Sequence, residues 1–170
     1  MTDKLLLKDK IEAFLFAEAD CCDSWKLKEW HEFWAKEGEI LYQIGPLDTP
    51  NGEEMSQNEI LYLVSDNRFR LEQRVIRMQK PTAHAEWPVR SRLRHSYTNL
   101  RDIQVEDNRI SCRVNMLVAR TRRDTEGVSL IPGYVIFQLE QQQDQFKMRQ
   151  KRIFVDLHML SKPGGMAVIL

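Results

Sequence analysis

Apolar positions near the start of the chain recur at helical spacing. Leu7, Ile11, Phe14, Leu15, Ala19 and Cys22 form one stripe over residues 4–22 and predict an amphipathic helix. Asp23 or Ser24 is placed to cap a second helix that begins near Trp25 and stops by Gly38, with Leu27, Trp30 and Trp34 on one face. Short apolar runs at 39–44 and 60–64 predict strands, with Pro46, Pro50 and Asn51-Gly52 marking a loop between them. Asp66 offers an N-cap for a third helix reaching Met78, in which Leu71, Val75 and Met78 share a face. Beside that face Arg70, Arg74 and Arg77 align at i, i+4, i+7.

Beyond Pro88 the period changes from helical to alternating. Runs at 91–106, 109–122, 128–142 and 145–158 predict four long strands, separated by Asp107-Asn108, residues 124–127 and Gln143-Asp144. In the first, Leu93, His95, Tyr97, Ile103 and Val105 share one face, and Arg92, Arg94, Ser96, Thr98, Asp102 and Gln104 the other. In the second, Ile110, Cys112, Val114, Met116 and Val118 alternate with polar residues. In the fourth, Phe146, Met148 and Phe154 oppose Lys147, Arg149 and Lys151. The alternation slips near Leu100 and Arg152, where bulges are expected. Helices followed by a meander describe an α+β fold, and 170 residues suit one domain spanning 1–170.

Composition narrows the function. Twenty-five basic residues balance twenty-five acidic ones, so no strong field draws nucleic acid or an anionic membrane. Three cysteines in no framework spacing suit free thiols and a cytoplasmic location. No signal-peptide pattern or apolar run of membrane-spanning length is visible. His31, His84, His95 and His158 are scattered, so no local spacing proposes a Rieske cluster or a mononuclear iron site. Phosphate-binding glycine motifs and the Gly-x-Ser-x-Gly elbow are also missing.

Two candidate chemistries remain. Glu18 lies inside the apolar stripe, where a carboxylate needs a partner: either an Arg, a Trp N–H or backbone amides hold it, or it is a general base at a pocket. His95 on an inward strand face can pair with Glu18 or Asp23 as an acid–base couple, or serve as a buried structural histidine. The Trp-rich segment reads as core rather than as a stacking platform, and the arginine stripe as a solvated face or a partner surface. The apolar C-terminal stretch 164–170 is expected to dock on the domain or on a neighbouring subunit.

Nearly the whole chain carries a further pattern. Glu18-Ala19, Asp23 and Trp30 are followed by Asp66, Leu71, Arg74 and Arg77, then Pro88, Ser91-Arg92, Arg94-His95 and Asn99, and finally Lys151-Arg152 with Asp156. Together these residues resemble the small (β) subunit of aromatic-ring-hydroxylating dioxygenases. The resemblance implies a cystatin-like or nuclear-transport-factor-two-like cone, with N-terminal helices packed in a strongly curved antiparallel sheet. It implies a structural subunit with no cofactor of its own, forming a homotrimer within a three-α, three-β hexamer. The Rieske iron–sulfur cluster and mononuclear iron would lie in the α subunit, and the whole would act in aromatic catabolism. Arg70, Arg74, Arg77, Arg92, Arg94, His95 and Asn99 are then expected to be structural or interface residues, with no catalytic residue in the chain. The alternatives are a stand-alone cofactor-free dehydratase or isomerase of the same cone, using His95 with Glu18 or Asp23, and a small-ligand binding module.

Overall fold

The computed structural model describes residues 2–45, 61–82, 86–123, 126–157 and 169–170. The predicted loop after Gly45, most of the apolar tail, His84 and His158 lie outside these residues. Helix α1 (Thr2–Asp23) is followed by a short α2 (Leu27–His31), strands β1 (Leu41–Ile44) and β2 (Val64–Asp66), and helix α3 (Arg68–Gln79). Four long strands complete the chain: β3 (Arg92–Glu106), β4 (Arg109–Thr121), β5 (Ser129–Gln142) and β6 (Gln145–Val155). They form one open sheet in the order β2-β1-β6-β5-β4-β3. All neighbours pair antiparallel except β1 with β6. The strongly antiparallel character expected of the sheet holds in every pair but this one. β1 and β6 are separated by the rest of the fold, and a parallel pair needs such a long connection.

The core lies between one sheet face and the helices. Ile11, Leu15 and Ala19 of α1 meet the alternating inward residues of β4, Ile110 through Val118, and Val135, Phe137 and Leu139 of β5. Trp30, Trp34 and Tyr42 pack as a mutually perpendicular trio with ring centres 5.8–6.2 Å apart, as core rather than as an exposed platform. Gly133 is needed where β5 and β6 come close, because a β-carbon there would stand 2.1 Å from the Phe154 carbonyl oxygen. At the far end, Ile169 and Leu170 are buried, and the Leu170 N–H donates to the Tyr42 hydroxyl at 3.2 Å.

Several local expectations are corrected by tertiary partners. The second helix ends at His31 because residues 33–35 are drawn onto β6: Met148 N–H donates to Phe33 O at 2.7 Å and Ala35 N–H to Met148 O at 3.0 Å. Neither Asp23 nor Ser24 caps that helix, whose N-cap, Lys26, makes no side-chain cap hydrogen bond. Instead α1 closes with Trp25 at φ +56, Lys26 N–H donating to Cys21 O at 2.9 Å and Trp25 N–H to Cys22 O at 3.1 Å. That costly conformation for a bulky residue is held by its indole N–H, which donates to Ser91 O at 2.9 Å, and by Arg90 over its ring. Asn67, not Asp66, caps α3, since β2 pairing with Tyr42 keeps Asp66 extended.

In β3 the expected irregularity appears as two register shifts on either side of Arg101, the first containing Leu100, with Asn99 and Asp102 both at φ +55. Beyond it Val105 is exposed rather than on a buried face, since it lies on the edge strand, although its cross-strand partner Ile110 is buried. In β6 the slip falls at Arg149, not Arg152: Gln138 pairs with Gln150, but the next residue, Leu139, pairs with Met148. The extra residue turns Lys151, Ile153 and Val155 inward, so Lys151, expected on the wet face, is fully buried.

Candidate functional site

The bulge in β6 and the apolar stripe of α1 bring two charges together in the core. Lys151 Nζ donates to Glu18 Oε1 at 2.6 Å, and neither side chain is exposed. Oε1 also accepts the Trp30 indole N–H at 2.5 Å and faces the Cys22 thiol at 3.8 Å, while Oε2 accepts the Tyr97 hydroxyl at 3.0 Å. The rings of Tyr97 and Phe137 flank the ammonium at 5.7 and 5.6 Å. Burial pushes the Glu18 carboxyl up, but the Lys151 charge and the hydrogen bonds from Lys151 and Trp30 outweigh it, holding the group below its ordinary 4.5. Burial, with Glu18 alongside, pushes the Tyr97 phenol and the Cys22 thiol well above their usual ranges. These groups neutralise one another. A Trp N–H does hold Glu18, and its cationic partner is a lysine rather than an arginine.

The second constellation ties the end of α1 to β3. Asp23 Oδ1 meets His95 Nδ1 at 2.7 Å, and its carboxylate also accepts the His95 backbone N–H at 3.1 and 3.2 Å. The ring is buried, and among the described residues its Nε2 has no hydrogen-bond partner. Of the two carboxylates considered for His95, Asp23 makes the contact, whereas Glu18 is engaged by Lys151. The His95 and Tyr97 ring centres are 6.4 Å apart.

A third cluster anchors the segment before β3. Buried Glu86 accepts the Ser91 backbone N–H at 2.8 Å and is paired with Arg120, and Arg122 approaches it at 3.7 Å. Arg120 Nε also donates to the Ser91 hydroxyl at 2.9 Å. Composition and motifs give no hint of this pair. Its one signal is register, because Arg120 takes the inward position that follows Val118 in the alternation of β4.

The arginines predicted for the surface divide. Arg74 turns back to Asp66 and is largely buried. Arg70 N–H caps on Asn67 and its guanidinium reaches Ser65 O at 3.3 Å, whereas Arg77 makes no ion pair among the described residues. Arg92 is exposed, and Arg94, also exposed, stands 3.9 Å from Asp23. Asn99 takes the left-handed bulge position, and its carbonyl accepts from Arg101 at 3.0 Å.

On the face of the sheet away from the core, alternate positions from Ser111 to Ala119 of β4, Leu130 to Gln138 of β5 and Gln150 to Phe154 of β6 include no lysine, aspartate or glutamate. Tyr134 stacks on Phe154 at 4.9 Å, with Arg113 over the first ring at 4.2 Å and Arg152 over the second at 5.3 Å. Leu117 and Leu130 extend this face and are exposed.

Clefts lined by residues 38–41, by Phe14 and Phe33, by Phe69, and by Gln104 and Ser111 open elsewhere, and none of these has Glu18, Asp23, His95, Tyr97 or Lys151 in its lining. Among the described residues no group of three or more His, Cys, Asp or Glu could hold a metal, and no helix is long and apolar enough to cross a membrane. Cys21, Cys22 and Cys112 are free thiols, and burial pushes that of Cys112 up to about 12.

The comparisons with known proteins bear on this arrangement. The model of a family described as ring hydroxylating beta subunit matches residues 17–162. The small oxygenase component of the p-cumate 2,3-dioxygenase system of Pseudomonas putida is 29% identical over 163 residues, covering 96% of this chain and 87% of that protein. A chain of naphthalene 1,2-dioxygenase, solved with indole in its active site, superposes with a TM-score of 0.78 at 20% identity, covering 98% of this chain and 86% of that one. The beta subunit of benzoate 1,2-dioxygenase from Burkholderia mallei gives 0.69 at 21% identity, covering 86% and 88%.

Proposed function

This chain belongs to the family of ring-hydroxylating beta subunits, and from that premise we propose that it is the structural small subunit of an aromatic-ring dioxygenase in aromatic catabolism. The observation that carries the structural role is the interior. In the part of the cone where the other reading would seat a substrate, Glu18, Lys151, Tyr97 and Trp30 bond to one another. Such a network orders a fold and leaves none of its own four members free for turnover. The Rieske cluster and mononuclear iron are assigned to a larger α subunit, and the assembly to a cytoplasmic hexamer of three α and three β chains. The outer sheet face supports self-association into a trimer, since aromatic residues and arginine without lysine or carboxylate are the composition of interface centres.

Co-expression with the co-encoded large subunit tests the reading. The expected product is a stable complex with the mass of a hexamer and with ring-oxygenating activity. A chain that stays apart from the large subunit, while activity is complete without it, would overturn the proposal.

One observation favours a second reading, a cofactor-free acid–base enzyme of the same cone. Asp23 orients the His95 ring and leaves Nε2 without a partner among the described residues, the arrangement a proton-transferring histidine needs. It wins if His95→Ala leaves the isolated chain folded and abolishes a dehydration or isomerisation that the wild-type chain catalyses.

A further inference from the structure

Helix α3 carries two apolar lines. Leu71, Val75 and Met78 are buried, while Phe69 and Ile76, seven residues apart and so on one line of the helix, are 69% and 41% exposed. At about 100° per residue the second line lies about 140° around the helix from the first. A helix that only closes a core has no need of a phenylalanine there. Arg70 and Arg77, also seven apart, run alongside. Their neighbour Arg74 is drawn in to Asp66, so the stripe seen in the sequence is one internal cation and two that face outward.

The N-terminal end of the exposed line borders an open cleft of about 610 Å³ with Ile40, Leu41 and Phe69 as its apolar lining and Glu39, Glu72 and Arg68 as its charged lining. The cleft is held in shape, because Arg68 donates to Ala35 O at 2.5 Å and to Gly38 O at 2.8 Å, locking α3 to the turn before β1. A preformed recess with an apolar floor and a charged rim matches the anchor pocket of a protein interface.

We propose that the solvent face of α3 is the docking surface for the larger oxygenase subunit, which places an apolar anchor in the Phe69 cleft and carboxylates opposite Arg70 and Arg77. This rests on the β-subunit reading above and assigns that partner a face. The choice of occupant follows from charge and from layer. Arg70 and Arg77 outnumber Glu72 on the exposed face of α3, so the partner that fits it presents carboxylates to the arginine side. Because α3 lies on the core side of the sheet, its outward face is separate from the outer sheet face assigned to copies of this chain, so both contacts can form at once.

The test is capture of the co-encoded large subunit by the full chain, across a salt series, with Phe69→Glu/Ile76→Glu, the milder Phe69→Ser/Ile76→Ser, and Arg70→Glu/Arg77→Glu. All three are expected to keep the wild-type circular dichroism and self-assembled mass. The apolar pairs should weaken capture by about 100-fold or more, and the charge reversal by about 10-fold with a flatter salt dependence. Capture at wild-type affinity by the serine and arginine variants overturns the surface and leaves the subunit reading intact. A loss of self-assembled mass instead gives the surface to a second copy and overturns the choice of occupant. Failure of the wild-type chain to capture the large subunit overturns the subunit reading and this inference with it.

Discussion

The interior and the outer sheet face treat charge in opposite ways. Inside, one carboxylate and one ammonium meet at 2.6 Å and share Trp30, Tyr97 and Cys22 as further neighbours. Outside, Arg113 and Arg152 lie over a stacked pair of aromatic rings, on a stretch of the face that carries no lysine or carboxylate. The difference separates two jobs. A closed network of buried charges fixes the fold of one chain, whereas a face of aromatic residues and guanidiniums has the composition of a surface that meets another protein.

Breaking the inside should therefore cost stability and leave association alone. The largest effect is expected for Lys151→Met, which strands a buried carboxylate and should lower stability by about 3–5 kcal/mol in urea unfolding. Glu18→Leu/Lys151→Met should recover most of that loss; a double variant as unstable as the sum of the singles would show that the two residues are not a pair. Tyr97→Phe removes one donor to the carboxylate and should cost about 1.5–3 kcal/mol by the same measurement.

Acid titration sharpens the same contrast. In the folded chain Glu18 binds its proton less readily than in the unfolded chain, so its contribution is present above the ordinary carboxylate value of 4.5 and is lost as pH falls through the lower folded value. In Lys151→Met, burial is the largest influence left on Glu18 and outweighs the Trp30 hydrogen bond, so the sign reverses: stability should then rise as pH falls from neutrality toward 5. A wild-type acid limb unchanged by Glu18→Gln would contradict this. The smallest effect on stability belongs to the outer face, where Leu117→Glu/Leu130→Glu should change unfolding by no more than about 1 kcal/mol. The same variant should lower the self-assembled mass measured by light scattering, which is the converse of what Lys151→Met should do.

Most of the fold was legible because it is written in local periods. The alternation of Ile110 through Val118 and the turn residues Asp107-Asn108 and Gln143-Asp144 place the long strands to within a few residues. The candidate site was legible only in part. Glu18 announced itself as a carboxylate on an apolar stripe and His95 as an inward strand residue. Their partners depend on what is not local. Lys151 reads as solvent-facing until one extra residue at Arg149 inverts the register of β6. Asp23 reads as a helix cap until β3 supplies a backbone N–H and an imidazole that hold it more firmly. The Glu86–Arg120 pair joins residues 34 apart, and only the register of β4 carries a trace of it.

The central claim is that turnover of the assembled oxygenase needs no proton transfer from this chain. Turnover per assembled complex with His95→Gln, in which the amide can still bond to Asp23, tests it most directly. The account predicts a value within about twofold of wild type, with any loss confined to the yield of complex. A fall of about 100-fold or more in an intact complex, the size expected when a general acid or base is removed, would contradict it.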